Sequence, residues 1–277
     1  MAMLLAAAGG NGGESLGELI IHHVANGPAV VPLRIGSLDM SISKHVVMLW
    51  VAALIVVSLF FWYARHLRKS EDGVPTGLFG TMVDFFFEYI HKKMAVPLIG
   101  AEHGAAWTPL IAAFFFFILT CNLMGLTPFF DWIKALPGST TPTGNVNVTA
   151  GLAIVTFFAI ILAGSLTHGF IGHWRNLVPR GTPVAVLPIL IPIELLSMFV
   201  KPFALTMRLA ANMTAGHIAI IAVLSVIFIF KSVLIGVLAV PLALGLMLLE
   251  IIVSFVQAYV FALLSAVFIG MAVQTHH

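Results

Sequence analysis

The sequence predicts an all-α membrane protein of about five transmembrane helices plus one interfacial amphipathic helix, the last two spans long, tilted and folded into a hairpin. Three observations carry this. Sixty per cent of residues are hydrophobic and only 9% are charged, a balance that belongs in a bilayer and leaves no stretch polar enough to cover a soluble domain. Several apolar runs are long enough to cross a hydrocarbon core of about 30 Å. Short basic clusters stand beside those runs, where Lys and Arg report topology. The net charge of +2 with histidines neutral gives no footprint for nucleic acid. One cysteine, Cys121, excludes an intramolecular disulfide and offers no metal framework by itself.

Residues 1–44 are mixed, contain Gly and Pro, and show no sustained periodicity. They read as a tail on or near the membrane surface. Met1 to Ala8 is apolar but no Lys or Arg precedes it, so a cleaved signal is weakly supported. Residues 46–63 form the first span, followed at once by Arg65, His66, Arg68 and Lys69. The positive-inside rule makes that end cytoplasmic and the tail extracytoplasmic. In residues 78–94, Asp84, Glu88, His91, Lys92 and Lys93 interrupt a Phe-rich run, the pattern of an interfacial amphipathic helix rather than a half-inserted one. Residues 107–126 form the second span, closed by Thr127-Pro128, and its four phenylalanines, Phe114 to Phe117, read as lipid-facing bulk. A turn-rich loop carrying Asp131 and Lys134 follows. Residues 148–170 form the third span, and His173, Arg175 and Arg180 mark a second cytoplasmic loop.

Two long apolar stretches, 183–230 and 233–273, finish the chain. Each is either two upright spans with a break or one steeply tilted helix. No polar loop stands where a break needs one, and after Pro202 the first stretch offers only Gly216 as a breaker, so tilted helices are the better reading. Glu194, Lys201 and Arg208 recur at intervals of seven, so they drift only about 20° per step and form one polar stripe. A charge near the bilayer centre costs about 2.5–3.5 kcal/mol on insertion scales, and such groups face a protein interior, an aqueous cavity or a partner. Lys201 could snorkel to the interface; Arg208, deep within its stretch, is poorly placed to do so. Glu194 could pair with Lys201 or sit among headgroups. Folding the hairpin about residue 233 brings His217 level with Glu250, and Arg208 level with the neighbourhood of Gln257. An imidazole and a carboxyl at one depth can hand a proton between them. A guanidinium cannot, because it stays protonated, and serves as a fixed positive charge. Asn212 and Gln257 could equally act as interhelical glue. His168 and His173, five apart with Gly169 and Gly172 between them, have poor metal-ligand geometry, and no phosphate-cradling loop, zinc helix or nucleophile elbow is present.

The run 201–217 contains Arg208-Leu209-Ala210-Ala211-Asn212-Met213-Thr214-Ala215-Gly216, and it closely resembles subunit a of the F-type ATP synthases. Cys121-Asn122-Leu123-Met124-Gly125-Leu126-Thr127-Pro128, Asn145-Val146-Asn147-Val148-Thr149 and Glu250 with Val256-Gln257-Ala258-Tyr259-Val260-Phe261 resemble further segments of that family. The likeness runs from about residue 45 to the end, which separates a tail, 1–44, from a membrane domain, 45–277. It implies a non-catalytic stator beside a rotating c-ring, held by the peripheral stalk subunit b; the positive-inside pattern suits a bacterial inner membrane with the C-terminus cytoplasmic. Protons would enter one half-channel, neutralise a ring carboxylate, and leave through the other. By the resemblance Arg208 separates the half-channels, His217 and Glu250 line the inlet in the reverse of the order some members have, Asn212 and Gln257 neighbour the arginine, and Glu194 with Lys201 stands near the outlet. No cofactor, metal, nucleotide or nucleic acid is implied. Gly125 stands where some relatives carry an acid, and Phe268 where some carry a tyrosine. A stand-alone transporter would show repeated halves or paired broken helices, and neither is visible. An intramembrane hydrolase would need a nucleophile–base pair or a third metal ligand beside His217 and Glu250.

Overall fold

The computed structural model describes residues 34–35, 38–39, 44–69, 77–127, 141–176, 186–230 and 232–274. Most of the tail, the loop around Asp131 and Lys134, and Arg180 lie outside the described residues, as do the side chains of His173, Arg175 and His217. Two short strands, β1 (Arg34–Ile35) and β2 (Leu38–Asp39), pair antiparallel, a local feature that the aperiodic tail does not announce. Among the described residues everything else of regular structure is helical, and five of these helices are long and apolar enough to cross a membrane.

Helix α1 (Lys44–Lys69) outlasts its apolar run at the basic end. Arg65 lies over the ring of Phe61 at 4.1 Å and His66 stacks on Trp62, so both fold back along the preceding turn while their polar ends stay outward. Helix α2 (Leu78–Tyr89) passes through a π-helical turn, Ile90–Ala95, into the short α3 (Val96–Ile99). Its two faces part as expected for an amphipathic helix. Val83, Ile90, Met94 and Ile99 are buried, whereas Glu88, Lys92 and Lys93 are exposed. The segment is anchored rather than merely adsorbed: Phe87 stacks on Tyr63 with centroids 4.9 Å apart, and the Tyr63 hydroxyl donates to Asp84. On the polar face Lys92 donates to Glu88, which holds that carboxyl below its ordinary range. Gly100, at φ 105°, then reverses the chain, a conformation L side chains avoid.

Helix α4 (Ala101–Leu126) is the axis of the bundle, and more of it is buried than of any other span. This corrects the expectation for its phenylalanines. Phe114, Phe115 and Phe116 are 4%, 1% and 7% exposed, because α1, α2 and the last helix surround α4 and leave little of its circumference to lipid. The helix stops at Thr127, whose extended backbone is what a following proline enforces. A 3₁₀ turn, Pro142–Gly144, leads into α5 (Val146–His168), capped by the Asn145 side chain accepting from the Asn147 amide at 2.9 Å. After Gly169 comes the short α6 (Phe170–Asn176).

The two final stretches are single helices, α7 (Leu187–Phe230) and α8 (Val233–Val273). The 44 residues of α7 would extend about 66 Å, roughly twice the hydrocarbon thickness, so upright insertion is impossible for a helix spanning only the bilayer core. The two run antiparallel and pack on each other, and α8 also lies along α4 and α5. Their outer faces carry exposed Leu, Ile, Val and Phe, the surface of a protein whose solvent is lipid or a partner helix.

Candidate functional site in the helical hairpin

The hairpin register decides which polar groups meet. Asn212 Nδ2 on α7 donates to Gln257 Oε1 on α8 at 3.2 Å. One turn further along α7, Gly216 faces Glu250 so closely that a Cβ built on the glycine would lie 2.7 Å from Glu250 Oε1. The absence of a side chain at 216 is therefore what gives the Glu250 carboxyl its place. Glu250 and Gln257 are each only 4% exposed, two polar groups sealed in an apolar hairpin. His217 follows Gly216 directly, so its backbone lies at the depth of Glu250, as the fold about residue 233 requires.

Arg208 sits elsewhere. It is exposed, and among the described residues no hydrogen bond or ion pair engages it. Ala211, Asn212 and Ala215 are exposed beside it, so the guanidinium heads a strip of small and amide side chains on the open face of α7. Glu194 and Lys201 are partly buried and do not pair with each other. Seven residues of helix separate them by about 10 Å along the axis, beyond direct contact. Lys201 instead places Nζ 5.6 Å from the Phe268 ring on α8, a cation–π contact that ties the two helices of the hairpin together. His168 Nε2 meets the Val273 carbonyl oxygen at 2.9 Å, and no group of three metal-binding side chains occurs among the described residues.

A second polar set escaped the sequence reading as a site. Thr143 Oγ1 donates to Asn122 Oδ1 at 2.6 Å, and Asn122 Nδ2 donates to the Ser254 carbonyl at 3.3 Å. Asn122 and Thr143 are both fully buried. Thr214 Oγ1 reaches the Gly144 carbonyl at 3.3 Å. The 3₁₀ turn is thus pinned to α4, α7 and α8 within one turn of Gly216 and Glu250. Gly125 takes part by default, since any side chain there would run into Thr141, backbone included. The available signal was an amide in the middle of an apolar run, Asn122, together with a threonine beside Pro142; their meeting is a tertiary fact.

Comparison with known proteins gives this constellation its family. A family model described as ATP synthase A chain matches residues 46–270. The chain belongs to the ATP synthase A chain family. It is 41% identical over 265 residues to ATP synthase subunit a of Chloroherpeton thalassium, covering 91% of this chain and 76% of the relative. It is 41% identical over 253 residues to ATP synthase subunit a of Myxococcus xanthus, covering 91% and 79%. ATP synthase subunit a 2 of Chlorobium luteolum is 40% identical over 283 residues, covering 96% and 79%. With five apolar spans, this member of the family is a multi-pass membrane protein of ATP synthesis and hydrogen-ion transport.

Proposed function

We propose that this chain is the non-catalytic proton-conducting stator of a rotary ATP synthase, with the open face of its hairpin against a c-ring whose subunits each carry one carboxylate. One observation supports it above the others: Arg208 is exposed on that open face with no ion pair among the described residues, while Glu250 is buried inside the hairpin next to Gly216. A permanent cation in lipid costs about 2.5–3.5 kcal/mol, a penalty that an ionised carboxylate on a partner relieves. The small Ala211 and Ala215 let a partner helix approach closely.

In this reading two offset half-channels meet the ring on either side of Arg208. His217 and Glu250 pass protons between the inlet and the ring carboxylate, and exchanging their positions relative to some relatives keeps the relay because both lie at one depth. Asn212 and Gln257, bonded to each other, keep the region beside Arg208 polar without adding a titratable group. Glu194 and Lys201 border the outlet. Arg208 holds the approaching ring carboxylate ionised and blocks a direct proton leak, since it has no accessible neutral form. Residues 1–44 lie outside a bacterial inner membrane, and the membrane domain 45–277 crosses five times to a cytoplasmic C-terminus. Subunit b holds it against the ring. Nucleotide is bound elsewhere in the complex, and nucleic acid has no part.

The test is proton flux in vesicles carrying the reconstituted complex, with Arg208→Ala compared with wild type. Loss of ATP-driven pumping with passive leak retained or raised is expected. Undiminished coupled pumping overturns the assignment.

A further inference from the structure

Behind the hairpin, between α2 with its π turn, α4 and α8, lies a cavity of about 200 Å³. Phe86, Tyr89, Ile90 and Met94 line one side, Phe255 and Tyr259 the other. Its floor is a triangle of rings: Phe86, Phe115 and Phe255 stand with centroids 5.5–5.6 Å apart on all three edges. Three mutually packed rings from three elements cannot easily collapse into the space. The π turn itself forms part of the wall, since Ile90 and Met94 both line the cavity, and such turns recur at functional sites.

The chemistry of the walls selects the ligand. The only hydroxyls in the lining are those of Tyr89 and Tyr259, and the rest of the wall is aromatic ring and aliphatic side chain, so the cavity offers a guest few polar partners. Water needs two to four such partners, and an apolar cavity of roughly 150 Å³ stays dry and takes up benzene. Hydrocarbon is therefore the matching class. At the rim Phe85 is 59% and Phe255 38% exposed, on the surface of a protein that spans a bilayer. We propose that this cavity binds the end of a membrane-lipid acyl chain. Phe255 and Tyr259 stand two residues either side of Gln257, about 200° round the helix, so the chain end braces α8 on the side opposite the Asn212–Gln257 bond. The site is independent of the stator reading, which its test does not use.

The experiment places the intact complex in vesicles containing palmitate with a diazirine near its methyl end, irradiates, and maps the labelled peptides. Labelling of residues 85–94 and 255–259 is expected, reduced at least about tenfold by excess unmodified palmitate and by Phe255→Trp, which fills the cavity. Ile90→Phe fills it from the other wall and serves if the tryptophan variant fails to assemble. Labelling that does not compete, that survives both fillings, or that falls equally on the lipid face of α1 at Leu54 and Val57 overturns the proposal.

Discussion

The substitution Gly216→Ala separates stability from function. A Cβ at 216 would begin 2.7 Å from Glu250 Oε1, 2.9 Å from Cδ and 3.3 Å from Cγ, whereas ordinary contact starts near 3.4 Å. The carboxyl must therefore retreat by about 0.7 Å, and as the far end of a flexible side chain it can do so by a small rotation without moving the backbone of α7. Alanine meanwhile favours the interior of α7 over glycine by about 0.5–1 kcal/mol. The two effects nearly cancel, and thermal stability of the complex should move by no more than a few degrees. Proton transfer is less tolerant: a misplacement of about 1 Å in a reacting group can cost on the order of a hundredfold. If Glu250 lies on the inlet path, as proposed above, ATP-driven acidification of inverted vesicles should fall between about tenfold and a hundredfold at equal subunit abundance. Gly216→Val, bulkier and β-branched, should abolish it. An alanine variant that pumps at the wild-type rate would remove Glu250 from the path and with it the reason for the glycine.

Asn122→Leu removes the acceptor of Thr143 and one donor to Ser254 in a fully buried position, and should destabilise the membrane domain by about 1–3 kcal/mol in a thermal-shift assay; an unchanged midpoint refutes the pinning of the 3₁₀ turn. Gly125→Asp drives a side chain into Thr141, so it should lower the folded yield in the membrane and sever the Thr143–Asn122 bond, whereas Gly125→Asp with Thr141→Gly should recover part of that yield. The Glu88–Lys92 pair carries a pH signature. Its carboxyl is held below the ordinary 4.5, so its contribution to α2 is present above that pH and is lost as pH falls through the lower folded value. Lys92 is held above 10.5, so the same contribution is lost again as pH rises beyond that. Both groups are fully exposed, so the difference between wild type and Lys92→Ala should be small, vanish in strong salt and close at both extremes of a pH titration of α2 helicity; a difference that persists in acid contradicts the pairing.

Much of the architecture was legible in one dimension because the bilayer makes it so. A segment that must satisfy its own backbone in hydrocarbon has to be helical, and its apolar length is written directly in the sequence. That is why the spans ending at Leu126, His168, Phe230 and Val273 fall within a few residues of the apolar runs, and why the depth pairing of Glu250 with residue 217 follows from counting back from the turn. Counting works along a straight helix and fails around it. Phe114, Phe115 and Phe116 look like lipid-facing bulk because hydrophobicity does not distinguish lipid from a neighbouring helix; only the placement of α4 at the centre of the bundle buries them. The bond of Asn122 to Thr143, the collision that keeps Gly125 free of a side chain, and the ring triangle around Phe86 likewise join residues from separate segments, so no local pattern encodes them. The sequence by itself determined that this chain spans a membrane with a charged stripe and an acid–imidazole pair at one depth. The tertiary structure decided what that stripe meets, since the packing of α7 on α8 buries Glu250 and Gln257 and sets Lys201 against Phe268 while leaving Arg208 exposed.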